Sequence, residues 1–136
     1  RHTLRQKDLV KTLSENLEYK FESVHNIIPI VRGISGRILK LKITGEINGK
    51  IDTIIISSEY EIRRVLHKDF LFSSSFIVVA HGESNGTYPD FELFGAGWGH
   101  GVGLCQIGAL GMAMAGKSKD EVLMHYYINS KITKIY

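Results

Sequence analysis

Glycine occupies every second position from Gly95 to Gly103, and no other feature of the sequence limits the fold as strongly. In an extended segment successive side chains point to opposite faces, so the glycines would leave one face bare while Trp98, His100 and Val102 line the other. Because each glycine costs conformational entropy, such a run indicates special dihedral angles or a close approach of backbone or ligand. We expect the run to extend the strand before it. The alternative is a packed loop in which the glycines adopt positive φ and Trp98 lies in the core.

The sequence fits neither a nucleotide-binding loop nor a membrane-spanning helix. No Gly-Lys-Ser/Thr motif follows the glycine run, and no acidic residue stands at a strand end about 20 positions later. The longest apolar tract, Val102 to Gly116, is shorter than the roughly 20 residues that cross a bilayer. The single cysteine, Cys105, excludes an internal disulfide and most thiolate metal sites. Because the chain starts without Met or an apolar leader, we expect a processed chain or a fragment.

Size and composition predict a single small globular domain. The chain has 136 residues, of which 43% are hydrophobic, and this is enough to bury one core. Residues 1–42 hold nine Lys and Arg against four Asp and Glu, whereas the remainder holds eight against ten. A basic end attracts an acidic polymer such as cell-wall glycopeptide or nucleic acid, but an excess of this size is also typical of a solvated surface.

Apolar periodicity predicts an α+β fold with a predominantly antiparallel sheet. Leu9, Leu13 and Leu17 recur every four residues, which predicts an amphipathic helix over 7–18. Strand patterns cover 27–32, 37–43, 51–56, 76–80, 88–94 and 131–136.

The predicted strands differ in their expected burial and connections. Leu39 opens an alternation of apolar residues with lysines, which predicts one buried and one solvated face. The isoleucine run at 54–56 indicates deeper burial. Asn48-Gly49 suits a tight turn with positive φ, so the strands on either side should form a hairpin. A polar loop over 81–87 should join the next strand pair.

Three further helices are predicted over 59–67, 104–115 and 118–127. The first and the third begin with the capping-box pattern Ser-x-x-Glu, and Gly116 is placed to end the second. Arg63 and Arg64, on the first of these helices, are expected to be exposed.

His100 is the first candidate for chemistry. It stands between two glycines, so it suits a hydrogen bond to a ligand or proton transfer near neutral pH. A hydrogen bond to a loop carbonyl that fixes the turn is the alternative. His100, Cys105 and His125 are soft metal ligands, but their spacing matches no recognised zinc pattern, so we expect no metal. Cys105 lies in an apolar, small-residue helix, which predicts a buried and unreactive thiol.

Three carboxylates lie nearest the glycine run and are candidates for an acid or base: Glu83, Asp90 and Glu92. Glu92 alternates with Phe91 and Leu93, so a solvated strand face explains it better than catalysis.

The two helices around Gly116 raise the alternative of a helix-turn-helix DNA-binding motif. The second helix opens with Asp120 and Glu121, which would face phosphates, and it carries few side chains that read bases. We therefore expect no nucleic-acid partner.

The run from Gly97 to Ala109, Gly-Trp-Gly-His-Gly-Val-Gly-Leu-Cys-Gln-Ile-Gly-Ala, strongly resembles the stage II sporulation protein D (SpoIID/LytB) domain. Gly-Met-Ala at 111–113 and His-Tyr-Tyr at 125–127 agree with that family. So does the order of three shorter matches, Ser-Gly-Arg at 35–37, Ile-Arg at 62–63 and Ser-Ser-x-Phe at 73–76. The resemblance covers residues 9–136 and implies the C-terminal portion of one such domain.

The resemblance implies a peptidoglycan lytic transglycosylase, which cleaves between N-acetylmuramic acid and N-acetylglucosamine and leaves an anhydro-muramoyl end. Relatives are called amidase enhancers, so a non-catalytic cell-wall binding or amidase-enhancing module is the alternative. The family's catalytic glutamate and the zinc ligands of some members lie upstream of everything matched here, so we expect them outside this chain. No cofactor is expected. Phe72 stands where many members carry Lys or Arg, which removes one polar contact in the cleft.

The resemblance also implies the partners, the location and the binding residues. Glycan strands are the expected partner, together with a cell-wall amidase, and the cell envelope is the expected location. Aromatic faces stack on sugar rings, and glycines admit a bulky polymer. The predicted substrate-binding residues are Trp98, Gly99, His100, Gly101, Gln106 and Tyr126.

Overall fold

Short strands and helices follow one another along the chain. The structure, a computed structural model, describes residues 1–82 and 88–135. The elements are β1 (His2–Leu4), α1 (Gln6–Leu17), β2 (Phe21–Arg32), β3 (Ile38–Ile47), β4 (Lys50–Ile56), α2 (Glu59–Val65), β5 (Phe76–His81), β6 (Asp90–Gly95), α3 (Gln106–Met114) and α4 (Lys119–Tyr126). The predicted loop over 81–87 falls mostly outside the described residues.

The strands form two three-stranded antiparallel sheets with the orders β1-β6-β5 and β2-β3-β4. Together with the four helices, they confirm the predicted α+β fold class with antiparallel strands. Both sheets belong to the first of two compact units, Arg1–His100, whereas α3 and α4 belong to the second, Gly101–Tyr136. β1 was not predicted, because three residues are too few to show a period.

The hairpin between β3 and β4 is confirmed, since Asn48 and Gly49 have φ of 53° and 75° and Ile47 pairs with Lys50. The buried face predicted for β3 is confirmed at Leu41 and Ile43, but the prediction is wrong for Leu39, and so is the deeper burial predicted for β4. β4 is an edge strand in which only Ile56 is buried. Leu39 is exposed, because Val31 pairs with Lys40 and Arg32 with Ile38, which leaves Leu39 as the extra residue of a β-bulge.

The core of the first unit joins α1, α2 and both sheets. Leu9 and Leu13 of α1 are buried in it, as the four-residue repeat predicted, and Leu17 packs at its edge. The backbone N–H of Gln6 at the start of α1 donates to Asp90 Oδ1 at 2.7 Å. Asp90 therefore serves as a partner for the helix terminus, where backbone donors otherwise lack acceptors.

α2 begins with half of the predicted capping box: Ser58 Oγ accepts from the Glu61 N–H at 3.4 Å, whereas the Glu61 carboxylate accepts from Arg64. The prediction that Arg63 is exposed is wrong, since only 12% of its side chain is accessible. Its guanidinium lies 4.3 Å from the centre of the Phe70 ring, and its Nε donates to the Leu71 carbonyl at 2.8 Å. Arg63 therefore fixes the segment that leads to Phe72, which belongs to the candidate site.

In the second unit, the capping box predicted at the start of α4 is confirmed by hydrogen bonds in both directions between Ser118 and Glu121. Gly116, with φ of 81°, follows α3 as predicted. Residues 131–135 form no strand, contrary to the prediction, and Tyr136 lies outside the described residues. None of the described helices is long and apolar enough to cross a membrane.

Candidate functional site

The glycine run forms a loop after β6 and does not extend the strand. β6 ends at Gly95, and Gly97 and Gly99 have φ of 93° and 78°. Gly101 and Gly103 repeat this with 73° and 75°. The alternation therefore supplies left-handed backbone at every second residue, a conformation that glycine adopts without steric cost. The expectation of an extended, one-sided strand is wrong for this reason.

Residues 96–100, which we call the anchored loop, are tied by backbone and side-chain hydrogen bonds to the segments just before β5 and β3. The Gly99 N–H donates to the Phe72 carbonyl at 2.8 Å, and the Ala96 N–H donates to the Ser75 carbonyl at 3.1 Å. Arg37 Nε donates to the Gly99 carbonyl at 2.9 Å. A charged donor strengthens such a bond, so Arg37 holds the loop firmly against the start of β3.

The anchored loop presents an exposed pair of aromatic rings, which we call the platform. Trp98 and Phe72 stack with their centroids 4.8 Å apart and their planes at 20°. They are 79% and 67% exposed, so Trp98 is not a core residue. Exposed aromatic surface of this kind is costly to leave in water and often marks a binding site. Sequence reasoning treated Phe72 as a lost polar contact and missed its role beside Trp98.

His100 is exposed next to the platform. Within the described residues its ring makes no hydrogen bond, and the turn is fixed by Arg37 and by the Phe72 carbonyl instead. The alternative in which His100 holds the loop through a carbonyl is therefore not observed. Its two ring nitrogens are left to meet solvent or a ligand.

The remaining predicted site residues belong to the second unit. Gly101 directly follows the anchored loop in the chain, and Gln106 opens α3 with its side chain exposed. Tyr126 packs on α3, since a Cβ built on Gly108 would lie 2.0 Å from the Tyr126 hydroxyl. The structure thus places Trp98, Gly99 and His100 together in the first unit and these three residues in the second.

Cys105 is exposed, so its predicted burial is wrong. It is the N-cap of α3, and its Sγ accepts from the Gly108 N–H at 3.4 Å. The position before a helix suits an acceptor side chain, which explains a cysteine there without a buried environment. Among the described residues, no group of three or more His, Cys, Asp and Glu is arranged to hold a metal ion.

The candidate carboxylates are engaged elsewhere. Glu92 is 4% exposed, so the predicted solvated face is wrong. It forms an ion pair with Arg1, and its Oε2 lies 3.1 Å from His81 Nε2. The hydrogen bond from Arg1 lowers the pKa of the Glu92 carboxyl, and His81 adds to this effect. Asp90 accepts from Gln6, and Glu83 lies outside the described residues.

The chain matches one family model and two curated proteins. The model, described as a domain of unknown function (DUF8618), matches residues 1–103. "Amidase enhancer" of Bacillus subtilis (strain 168) is 34% identical over 91 residues, which are 66% of this chain and 12% of that protein. "Stage II sporulation protein D" of the same organism is 33% identical over 95 residues, 68% of this chain and 26% of that protein.

These similarities confirm the resemblance to the SpoIID/LytB domain. The chain spans only a small part of both relatives, 12% and 26% of their lengths. No solved structure matches the chain.

Proposed function

This chain belongs to the family described as a domain of unknown function (DUF8618), and we propose that it binds the glycan strands of peptidoglycan within a larger cell-envelope protein. The platform carries this proposal, because Trp98 and Phe72 are stacked and largely exposed. Sugar rings present apolar C–H faces that pack on aromatic rings. The names of the two relatives support a role in the cell wall.

The anchoring of the loop supports a preformed site. Arg37 and the Phe72 carbonyl hold the backbone of Gly99, so the indole of Trp98 is positioned without its face being covered. A site that is ordered before binding loses less conformational entropy when the ligand arrives. His100 follows at once in the chain and supplies a hydrogen-bonding group for sugar hydroxyls.

In this proposal the bound strand is cleaved by a lytic transglycosylase reaction. A carboxylic acid protonates the glycosidic oxygen, the bond to the anomeric carbon breaks, and a hydroxyl of the same sugar replaces water as the nucleophile. Glu92 does not suit the acid's role, since its lowered pKa keeps it ionised. We assign the acid to no residue of this chain, which acts as the C-terminal, substrate-binding portion of the domain.

Binding is tested with insoluble peptidoglycan and with the fluorescence of Trp98, which is the single tryptophan of the chain. Wild-type protein should sediment with peptidoglycan, and soluble glycan should change the emission. Trp98→Ala should weaken retention by at least about tenfold, whereas Trp98→Phe should keep most of it. Tyr19→Ala, at another exposed aromatic residue, is the control. Unchanged retention in Trp98→Ala would contradict the proposal.

Single substitutions at the other predicted binding residues test the contribution of each residue separately. His100→Ala tests a ligand contact in the first unit. Gln106→Ala and Tyr126→Phe test contacts in the second unit. A variant that is no longer retained on peptidoglycan but has a normal circular dichroism spectrum would support a ligand contact by that residue. Retention at the wild-type level would mean that the residue makes no contact with the glycan.

Cleavage is tested by incubating the chain with peptide-stripped glycan strands and searching for anhydro-muramic ends by mass spectrometry. We expect none from this chain alone. If such ends form, a carboxylate among these residues performs the chemistry, and the assignment of the acid to another part of the domain is wrong.

The relative named "Amidase enhancer" supports a second candidate, a module that stimulates a cell-wall amidase. A purified amidase would be assayed on peptidoglycan with and without the chain. Stimulation that persists in Trp98→Ala would favour a direct contact with the amidase. Stimulation that is lost together with glycan binding in Trp98→Ala would indicate that the chain acts by bringing the amidase to the peptidoglycan that both proteins bind.

A further inference from the structure

A small cavity opens beside the platform in the first unit. Its volume is about 190 Å³, and Phe72 and Gly97 belong to its wall. Pockets that enclose a whole drug-sized ligand measure roughly 300–1,000 Å³, so this one suits a substituent of a larger ligand. Because Phe72 borders both the cavity and the platform, a sugar stacked on the platform can place a side group inside.

The lining of the cavity is apolar with two hydroxyls. Phe76, Leu93 and Ala96 contribute carbon surface, and Ser73 and Ser75 contribute hydroxyl groups. Ser73 Oγ accepts from the Ser75 N–H at 3.0 Å, which leaves its own hydrogen free to donate. The group that fits therefore combines an apolar end with a hydrogen-bond acceptor.

The charges at the other end of the cavity are compensated. Arg1 lines it but is ion-paired with Glu92. Nδ1 of His67 accepts from the backbone N–H of Asp69 and of Phe70, both at 3.1 Å, which leaves Nε2 as the donor of this ring.

His2 completes this end of the cavity. Burial lowers the pKa of the His2 imidazole, which favours its neutral form. Of the lining side chains that the structure describes, none then offers an uncompensated positive charge. A carboxylate would lose its hydration there without gaining an unpaired cationic side chain, which disfavours an anionic group.

We infer that this cavity receives the N-acetyl group of an amino sugar whose ring stacks on the platform. The inference rests on the proposed glycan binding. The acetamido group is neutral, its methyl matches the carbon surface of Phe76 and Ala96, and its carbonyl matches the free hydrogen of the Ser73 hydroxyl. Its N–H can donate to a second hydroxyl. The platform supplies the general affinity for sugar, and the cavity supplies the selection for N-acetylated rings.

The first test compares two neutral tetrasaccharides by calorimetry and by Trp98 fluorescence. Chitotetraose carries an N-acetyl group on every ring, and cellotetraose carries a hydroxyl in its place. Chitotetraose should bind at least about tenfold more tightly to the wild-type chain. Equal affinity for both would overturn the inference and leave the platform proposal intact. If neither binds and peptidoglycan is not retained, both proposals fall.

The second test fills the cavity. Ala96→Leu should reduce the preference for chitotetraose to within about threefold, with little change in the affinity for cellotetraose. Ala80→Leu, the same substitution at an exposed position of β5, should keep the wild-type preference. A preference that survives in Ala96→Leu would place the N-acetyl group elsewhere and overturn the inference.

A third measurement locates the group without any substitution. Amide chemical shifts are followed while N-acetylglucosamine or glucose is added to the labelled wild-type chain. The amides of Ser75 and Ala96 should shift with N-acetylglucosamine and not with glucose. Identical shifts with both sugars would count against the cavity as the binding place.

Discussion

The two units of the chain differ in where they keep their apolar side chains. In the first unit, Leu13 and Leu41 are fully buried in a core that joins helices and sheets. In the second unit, α3 has no buried residue among its nine, all of which are described, and Ile107, Leu110 and Met114 are 78%, 57% and 81% exposed. An apolar sequence pattern therefore predicts helices in both units, but apolar side chains contribute hydrophobic stabilisation only where they are buried. The platform belongs to the unit with the buried core.

Truncation of one leucine in each unit gives the largest expected contrast. Leu13→Ala removes buried carbon and leaves a cavity, so the free energy of unfolding should fall by about 2–5 kcal/mol. Leu110→Ala removes exposed carbon and should change it by less than about 0.5 kcal/mol. Urea denaturation measures both. A cost above about 1 kcal/mol for Leu110→Ala would mean that α3 is covered in solution, and the contrast between the units would disappear.

The next largest effect concerns the anchored loop, which is held by hydrogen bonds from the Arg37 guanidinium and from its own backbone, whereas the core is held by buried apolar side chains. Arg37→Met removes the bond to the Gly99 carbonyl. Acrylamide should then quench Trp98 more strongly, and retention on peptidoglycan should fall by about tenfold.

Arg32→Met is the matched control for that experiment. Arg32 also donates to two backbone carbonyls, those of Gly36 and Phe76, at 2.8 and 2.7 Å. Neither carbonyl belongs to the anchored loop, so Arg32→Met should leave Trp98 quenching as in the wild type. Equal changes in the two variants would show that Arg37 acts through general stability and not through the loop.

Features that depend on neighbouring residues could be predicted from the sequence. The capping box before α4 and the Asn48-Gly49 turn were placed correctly, because their hydrogen bonds and dihedral angles involve residues within a few positions. The four-residue repeat of α1 likewise identified the face that Leu9 and Leu13 bury. Element ends were less certain, since the β-bulges of β2 interrupt the alternation that defines a strand.

Features that depend on distant partners could not be predicted. Glu92 was expected to be solvated because its strand alternates, but it is buried and forms an ion pair with Arg1, which lies 91 positions away in sequence. Phe72 was read as a lost cationic contact, whereas its ring completes the platform with Trp98. Cys105 shows the reverse error, since a small-residue pattern indicated burial and the helix instead begins there in solvent.

Two glycines of α3 provide a finer comparison within the second unit. Apart from its chain neighbours and the backbone of its own helix, no described atom lies within 4 Å of a Cβ built on Gly111, so Gly111→Ala should stabilise the helix by up to about 1 kcal/mol. At Gly108 the added Cβ would meet the Tyr126 hydroxyl at 2.0 Å, so Gly108→Ala should lose this benefit and destabilise by about 1 kcal/mol. Thermal denaturation followed by circular dichroism measures the difference.

Removal of the Tyr126 hydroxyl separates the two contributions at Gly108. In Tyr126→Phe the obstructing oxygen is absent, and Gly108→Ala should become neutral or stabilising. If Gly108→Ala costs the same in both backgrounds, the close approach of Tyr126 is not what requires glycine at that position.

The smallest effect is electrostatic and belongs to the surface of α4, where an ion pair meets the capping box. Glu121 accepts from Lys117 Nζ at 2.7 Å and from the Ser118 N–H at 2.9 Å, and these bonds lower the pKa of its carboxyl to about 2. Because this folded-state pKa lies below the ordinary value of 4.5, the stabilisation is complete above pH 4.5 and is lost as the pH falls from 4.5 to about 2. Carbon NMR of the side-chain carboxyl measures the titration directly.

Lys117→Met should raise the pKa of the Glu121 carboxyl, whereas Lys119→Met should not. Since the Ser118 bonds remain in Lys117→Met, a full return to 4.5 would mean that the capping box contributes nothing to holding the charge.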